Sequence, residues 1–244
     1  GGASCAVPGT TAGLEAVHRA YGRLPWAEVV APAIELARTG VELTRPQAHL
    51  HAILDLILRH TAEGRRLYSR ADGSRLQPGD LLRLPDLAET LERIAAEGAA
   101  ALYRGELAHQ VALTVQDAGG RLTFDDLATY EVIWRDPVRI SYRGYTVLSM
   151  PPASSGGVTM AEILNIMEGY DSLPPFGTAA YEHLLTEAMR RAFIDRNRWL
   201  GDPDFVHMPL ERLLSKSYAA TLRSQIDPKR ATPTPTDATG SGGE

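Results

Sequence analysis

The sequence predicts a helix-dominated α/β (α+β) fold, and three observations predict it. Apolar residues recur at i, i+3 and i+4 through most of the chain. Between residues 131 and 150 the period shortens, and Val, Ile, Tyr and Thr replace the helix formers. Residues 181–199 then carry the strongest helical stripe.

The elements follow in order. Thr10 or Thr11 is placed to cap a helix with Leu14, Val17 and Tyr21 on one face, and Gly22 stops it. A second helix starts at Leu24-Pro25-Trp26, since proline is tolerated in a first turn, and runs through Val29, Ala33, Leu36 and Ala37 to Gly40. Thr44 precedes Pro46 and a long helix with Leu50, Ile53, Leu54 and Ile57. Residues 70–79 read as a polar loop. After Leu84-Pro85-Asp86 the stripe Leu87, Leu91, Ile94 predicts a helix ended by Gly98. The next opens at Tyr103-Arg104-Gly105 and closes at Gly119-Gly120. Thr123 and Asp126 have the spacing of a capping box for a short helix.

Residues 131–134, 138–142 and 146–150 read as strands. Arg143-Gly144 is a tight turn, so the last two form a hairpin. Pro151-Pro152 and the small residues 153–157 lead into a helix with Met160, Ile163, Leu164 and Met167 in register. Residues 232–243, rich in Thr, Pro, Gly and Ser, are expected to be disordered or extended. The chain thus divides into a helical region 1–130, a strand element and loop 131–157, a second helical region 158–230 and a flexible linker 231–244.

Composition sets the bounds. Apolar types make up 44% of 244 residues, enough for a core. At roughly 100–200 residues per domain the length fits one domain or two. The formal charge of -5 is spread with both signs interleaved and no long basic run, so the sequence declares no phosphate-tracking surface and nucleic acid is not an expected partner. No apolar run approaches the ~20 residues a membrane helix needs, so no membrane partner is expected either. Cys5 is the only cysteine, which excludes a disulfide framework within the chain. Residues 1–5 lack the charged start and apolar stretch of a signal peptide, and the chain does not begin with Met. Residue 1 therefore reads as an internal start, with any export signal upstream.

Three stretches carry residue types that could form a site. Ala153-Ser154-Ser155-Gly156-Gly157 lies between a strand and a helix, as a nucleophile elbow does, but lacks that motif's first glycine and follows two prolines. As a serine hydrolase it would use Ser155, with His183 or His207 as base and Asp195, Asp202 or Asp204 to orient it. The plainer reading is a loop whose amides cap the following helix. His49, His51, Asp55 and His60 suggest a metal cluster, but residues i and i+2 diverge on a helix, so His49 and His51 cannot share an ion; His51 and Asp55 can pair at i, i+4. No metal ligand is assigned. Gly201-Asp202-Pro203-Asp204 reads as a helix-ending turn, too short to supply a calcium ligand set.

Asp195 is the more informative acid. It shares a stripe with Tyr181, Leu185, Ala188, Ala192 and Trp199, and a carboxylate there needs a partner. Arg191, Arg196, Arg198 or a distant arginine is the expected one. The expectation is a buried Asp–Arg pair that orients the helix; the functional alternative is a carboxylate supporting a site on another segment.

The motifs taken together resemble a family. Val7-Pro8-Gly9-Thr10-Thr11-Ala12-Gly13-Leu14 comes first, then Tyr21-Gly22-Arg23-Leu24-Pro25-Trp26 and Ala31-Pro32-Ala33-Ile34-Glu35-Leu36-Ala37. Later come Tyr103-Arg104-Gly105, Asp126-Leu127-Ala128-Thr129-Tyr130, Tyr142-Arg143-Gly144-Tyr145 and Pro151-Pro152 with Ser154-Ser155-Gly156-Gly157. Leu164-Asn165, Glu187-Ala188, Asp195-Arg196 and Gly201-Asp202-Pro203-Asp204-Phe205 complete the series. This order, up to about Asp227, resembles the large subunit of gamma-glutamyltransferases (glutathione hydrolases).

The resemblance implies an N-terminal-nucleophile (Ntn) hydrolase. Its αββα sandwich would be only partly present here, leaving an apolar face exposed. A precursor threonine cleaves the bond before it, opens a small subunit and becomes the nucleophile, with its own amine as base. No cofactor is implied. The implied partners are that small subunit, glutathione or another gamma-glutamyl substrate, and a second copy of the fragment over its apolar face. The implied location is periplasmic or secreted.

No Thr-Thr-His or Thr-x-His occurs in the sequence. The catalytic threonine is therefore expected downstream of Glu244, and the family's carboxylate-binding arginine upstream of Gly1. Arg19, Arg23 and Arg104 lie in other motifs and do not replace it. No catalytic or substrate-binding residue is assigned within the chain, which is expected to be inactive alone. A related polyglutamate or cephalosporin acylase, and a non-catalytic helical module, are the alternatives.

Overall fold

The computed structural model describes residues 1–233. The predicted linker 231–244 lies, past residue 233, outside the described residues. The chain divides into two compact units, Gly1–Ile133 and Trp134 onward.

In the first unit, α1 (Thr10–Tyr21) begins at Gly9 with no side-chain cap, so neither threonine caps it as expected. Gly9 lies close under the Tyr130 hydroxyl, which a Cβ there would have to displace. α2 (Trp26–Thr39) follows and ends at Gly40, whose φ of 96° suits glycine. β1 (Val41–Glu42) leads to α3 (Arg45–Ile53), which Thr44 and Gln47 close with a reciprocal capping box.

The expected long helix breaks at Leu54 into α3 and α4 (Asp55–Leu58). Leu50, Ile53, Leu56 and Ile57 all stay exposed, so no burial favours a continuous rod there. α5 (Ala62–Tyr68), capped by Thr61, was not anticipated. Nor was β2 (Leu81–Leu82), which pairs antiparallel with β1, Val41 opposite Leu82.

α6 (Pro85–Glu97) packs along α2, and the Trp26 indole N–H donates to the Ile94 carbonyl at 2.9 Å. α7 (Ala100–Tyr103), α8 (Glu106–Asp117) and α9 (Phe124–Ala128) enclose a core of Tyr103, Ala108, Ala112, Leu122 and Leu127. Thr123 and Asp126 form the expected capping box. The Tyr103 hydroxyl donates to the Pro8 carbonyl and accepts from the Ala12 amide, tying the first residues to this core.

Residues 131–134, at the boundary of the two units in the sequence, form no strand, contrary to expectation. No strand pairs with them, Ile133 and Trp134 are exposed, and Pro137 removes a ladder donor just beyond. β3 (Val138–Tyr142) and β4 (Tyr145–Ser149) make the expected hairpin in full register, Val138 opposite Ser149. Arg143 and Gly144 turn it with φ of 47° and 84°.

α10 (Gly156–Glu168) is central: Val158, Ala161, Glu162, Asn165, Ile166 and Met167 are buried. Its close start depends on Gly157, where a Cβ would lie 2.0 Å from the Met150 carbonyl oxygen. α11 (Ala179–Trp199), capped by Thr178, packs against it, with α12 (Leu210–Leu213) and α13 (Lys216–Ser224) closing the core. The described residues are thus helix-dominated, with two short antiparallel sheets. No helix among them is long and apolar enough to cross a membrane.

Candidate functional site

The sequence motifs of the second unit converge on α10 and α11. Ser155, half-buried, precedes α10, and its hydroxyl accepts from Arg196 Nε of α11 at 2.9 Å. A guanidinium is a donor and takes no proton, so this contact positions the loop and does not activate the serine. Among the described residues no hydrogen bond joins Ser155 to His183 or His207. His183 Nε2 instead donates to the Asp227 carbonyl at 2.8 Å. The triad of the serine-hydrolase alternative is not assembled among the described residues.

Asp195 finds a partner of another kind than expected. Its Oδ2 accepts from the Tyr218 hydroxyl of α13 at 2.7 Å, and the Glu162 carboxyl of α10 lies against it. Glu162 is 1% exposed and Asp195 7%. Burial, then the Asp195 charge, then a hydrogen bond to Asp195 raise the Glu162 carboxyl to about 9. Glu162 therefore stays protonated at neutral pH and gives the Asp195 carboxylate a second donor. Burial and the same Asp195 contact push Tyr218 up to about 12. Arg212 stacks its guanidinium over the Tyr218 ring at 4.4 Å. The periodicity held a clue: Glu162 sits on the stripe Val158, Glu162, Ile166 at four-residue spacing.

Arg191, one of the arginines considered for Asp195, serves Glu187 instead. Arg191 Nη1 donates to Glu187 Oε2 at 2.6 Å, with both side chains buried. Burial pushes the Glu187 carboxyl upward, but Thr232 and Arg191 outweigh it and hold it down at about 2. A third group ties α13 to the hairpin: Lys216 Nζ donates to the Ser141 carbonyl and to Asn165 Oδ1, each at 2.6 Å, and to Glu168. The partners of Asp195 and of Lys216 lie more than twenty positions away in sequence, and although Glu187 and Arg191 stand only four apart, Thr232, which completes their cluster, lies forty-five positions after Glu187.

The other candidates disperse. Asp55 pairs with Arg59 at 2.7 Å and not with His51, whose ring meets Tyr68 edge-on. Asp202 Oδ1 accepts the Asp204 amide at 3.0 Å, the expected turn, and Asp204 pairs with Arg135 at 3.5 Å. No cluster of three or more metal-binding side chains exists among the described residues.

The first unit contributes a surface. An apolar groove of about 460 Å³ lies along α1, α2 and α6, lined by Leu14, Val17, Tyr21, Trp26, Val29 and Leu91. Leu14, Val17, Tyr21 and Val29 are exposed. Among the described residues, neither unit assembles a nucleophile with a base.

Comparison with known proteins gives a consistent result. Residues 1–243 match the family described as Gamma-glutamyltranspeptidase. The chain is 40% identical over 228 residues to the glutathione hydrolase proenzyme of Escherichia coli (strain K12), covering 93% of this chain and 39% of that one. It is equally 40% identical over 238 residues to the Acylase ACY 1 proenzyme of Pseudomonas sp. (strain V22), covering 95% of this chain and 41% of that one. The crystal structure of Helicobacter pylori gamma-glutamyltranspeptidase superposes with a TM-score of 0.91 at 37% identity, covering 96% of this chain and 67% of that one. The chain thus spans about two-fifths of the length of the curated relatives it matches.

Proposed function

This chain belongs to the gamma-glutamyltranspeptidase family, and from that premise we propose that it is the large-subunit portion of an Ntn hydrolase that cleaves gamma-glutamyl amides. The observation that carries the reading is agreement over nearly the whole chain, in motif order and in backbone, with a gamma-glutamyltranspeptidase structure. The nucleophile is a threonine outside this chain, freed by cleavage of the precursor. Its own amine, ordinarily near 8, takes the hydroxyl proton at neutral pH. The acyl group passes from the gamma-glutamyl amide to the threonine oxygen and then to water or an amino acid. No cofactor takes part.

This chain supplies scaffold. The buried carboxyl cluster and the Glu187–Arg191 pair fix α10, α11 and α13, and the groove of the first unit is a surface for the remainder of the protein to cover. Its partners are a small subunit bearing the threonine and a gamma-glutamyl compound such as glutathione. In isolation, a second copy of the chain would cover the apolar face instead. The location is periplasmic or secreted.

The test is a gamma-glutamyl-p-nitroanilide assay on the whole protein and on residues 1–244 alone, with intact mass of each. Turnover by a two-chain whole protein and none by the fragment is expected; turnover by the fragment overturns the reading. A second reading, an acylase on the same scaffold, is favoured by the equal 40% identity to an acylase proenzyme. A whole protein that hydrolyses an acyl-amide side chain and leaves the gamma-glutamyl anilide intact would select it.

A further inference from the structure

The helices α3 and α4 carry an apolar face on the surface of the first unit. Leu50, Ile53, Leu54 and Ile57 recur at helical spacing, and each is exposed. Leu56 is 88% exposed and Ile57 73%, so these two project just past the break at Leu54. A single exposed leucine is ordinary, but five such side chains within residues 50–57 make a patch.

The charges around the patch are of one sign. Between Glu42 and Glu63 the only acid is Asp55, and Arg59 neutralises it with two bonds, from Nε at 2.7 Å and from Nη2 at 3.0 Å. Arg45, exposed, opens α3, and no carboxylate pairs with it among the described residues. Arg65, also exposed, lies past the other end. Its Nη1 donates to the Arg59 and His60 carbonyls at 3.1 and 2.9 Å, which holds the guanidinium at the end of α4 with its charge unmatched. In a chain of net charge -5, this face shows apolar side chains and cations only.

We propose that this face docks the protein on an anionic lipid surface, with Leu56 and Ile57 entering the headgroup layer and Arg45 and Arg65 meeting lipid phosphates. No described helix is long and apolar enough to cross a bilayer. Lying on one requires less: an apolar face with cations beside it. The long arginine stems can follow the apolar surface while their heads stay among the phosphates. Shape favours lipid over a protein partner, because a headgroup layer yields to projecting side chains, whereas a protein needs a pocket matched to them. Charge disfavours a second copy. Symmetric pairing of the face with itself would bring like charges together with no free acid between them. The inference is independent of the hydrolase reading.

The test is flotation of the whole protein with vesicles of phosphatidylcholine alone, or of phosphatidylcholine and phosphatidylglycerol in equal parts. The mixed vesicles should carry the protein up the gradient, and the neutral ones should carry little. Leu56→Ser combined with Ile57→Ser should lower partitioning roughly tenfold. Arg45→Gln should lower it roughly fivefold at low salt and less at high salt. Leu113→Ser, at a leucine 60% exposed on α8, should float as the wild type does, and Tm should be unchanged in every variant. A wild-type protein that stays in solution overturns the proposal, as do equal flotation on neutral and anionic vesicles or an equal loss in Leu113→Ser. A wild type that does not float, and whose dimer is lost in the Leu56→Ser, Ile57→Ser variant, assigns the face to a second copy instead.

Discussion

The Tyr218 hydroxyl donates to Asp195 Oδ2 at 2.7 Å, joining α13 to α11 at a point where α10 adds a second carboxyl, Glu162. Three titratable groups from three helices meet there, Glu162 and Asp195 buried and Tyr218 half-buried. The Asp195 carboxylate is accommodated by two neutral donors and not by a cation. Tyr218→Phe keeps the ring and removes one donor from a buried carboxylate, which should cost about 1–3 kcal/mol in urea unfolding. An unchanged midpoint would mean that the bond contributes nothing.

Glu162 should make the fold lose stability as pH rises. Its carboxyl ordinarily titrates near 4.5 and stands at about 9 in the fold. Above 4.5 the unfolded chain releases this proton while the folded chain keeps it, so the unfolded state gains with each pH unit up to about 9. Glu162→Gln, neutral at every pH, should flatten that limb and stabilise by on the order of 2 kcal/mol at pH 7. Tm measured from pH 5 to 9 checks it; parallel curves for both proteins refute it.

Glu187 has the opposite sign. Its folded value of about 2 lies below the ordinary 4.5, so its stabilisation is present above pH 4.5 and is lost as pH falls toward 2. Glu187→Gln leaves Arg191 buried without its counter-charge and should destabilise by about 3–5 kcal/mol at pH 7. The gap to wild type should narrow on acidification below pH 4.5, as followed by circular dichroism.

Gly157→Ala should destabilise by about 3 kcal/mol or prevent folding, because the new methyl meets the Met150 carbonyl and backbone cannot yield as a side chain does. Gly156→Ala is the control. Its Cβ would find only Ser154 Oγ, at 3.6 Å, and it should fold within about 1 kcal/mol of wild type.

Ser155 should not react with a fluorophosphonate probe, in the fragment or in the whole protein, because its bonded neighbour is Arg196 and not a base. Labelling that disappears in Ser155→Ala would restore the serine-hydrolase reading.

Much of the fold was legible, for local reasons. The Arg143-Gly144 turn and its flanking β-branched residues specify the hairpin within twelve positions, and Thr123 with Asp126 specifies a helix start within four. Features that depend on distant partners were not legible. The break at Leu54 follows from what does not pack over Leu56 and Ile57, and β1 and β2 are two residues each, below any periodicity. Asp195 was correctly read as a carboxylate in need of a partner, but sequence proximity pointed to arginine. The donors come from α10 and α13, thirty-three positions before it and twenty-three after. The family motifs were legible as an ordered series, although the contacts that explain them, such as Gly157 on Met150, became visible only in three dimensions.

Trp26 gives the groove of the first unit an optical consequence. Its indole N–H is fixed on the Ile94 carbonyl while its ring lines the groove beside His18, at 5.2 Å between centroids. A tethered indole with one face toward water senses whatever excludes that water. Trp26 emission, isolated by replacing Trp134 and Trp199, should move to the blue on adding the small subunit if the proposed partner covers the groove, and stay in place if it does not. The first unit would then report its own assembly optically.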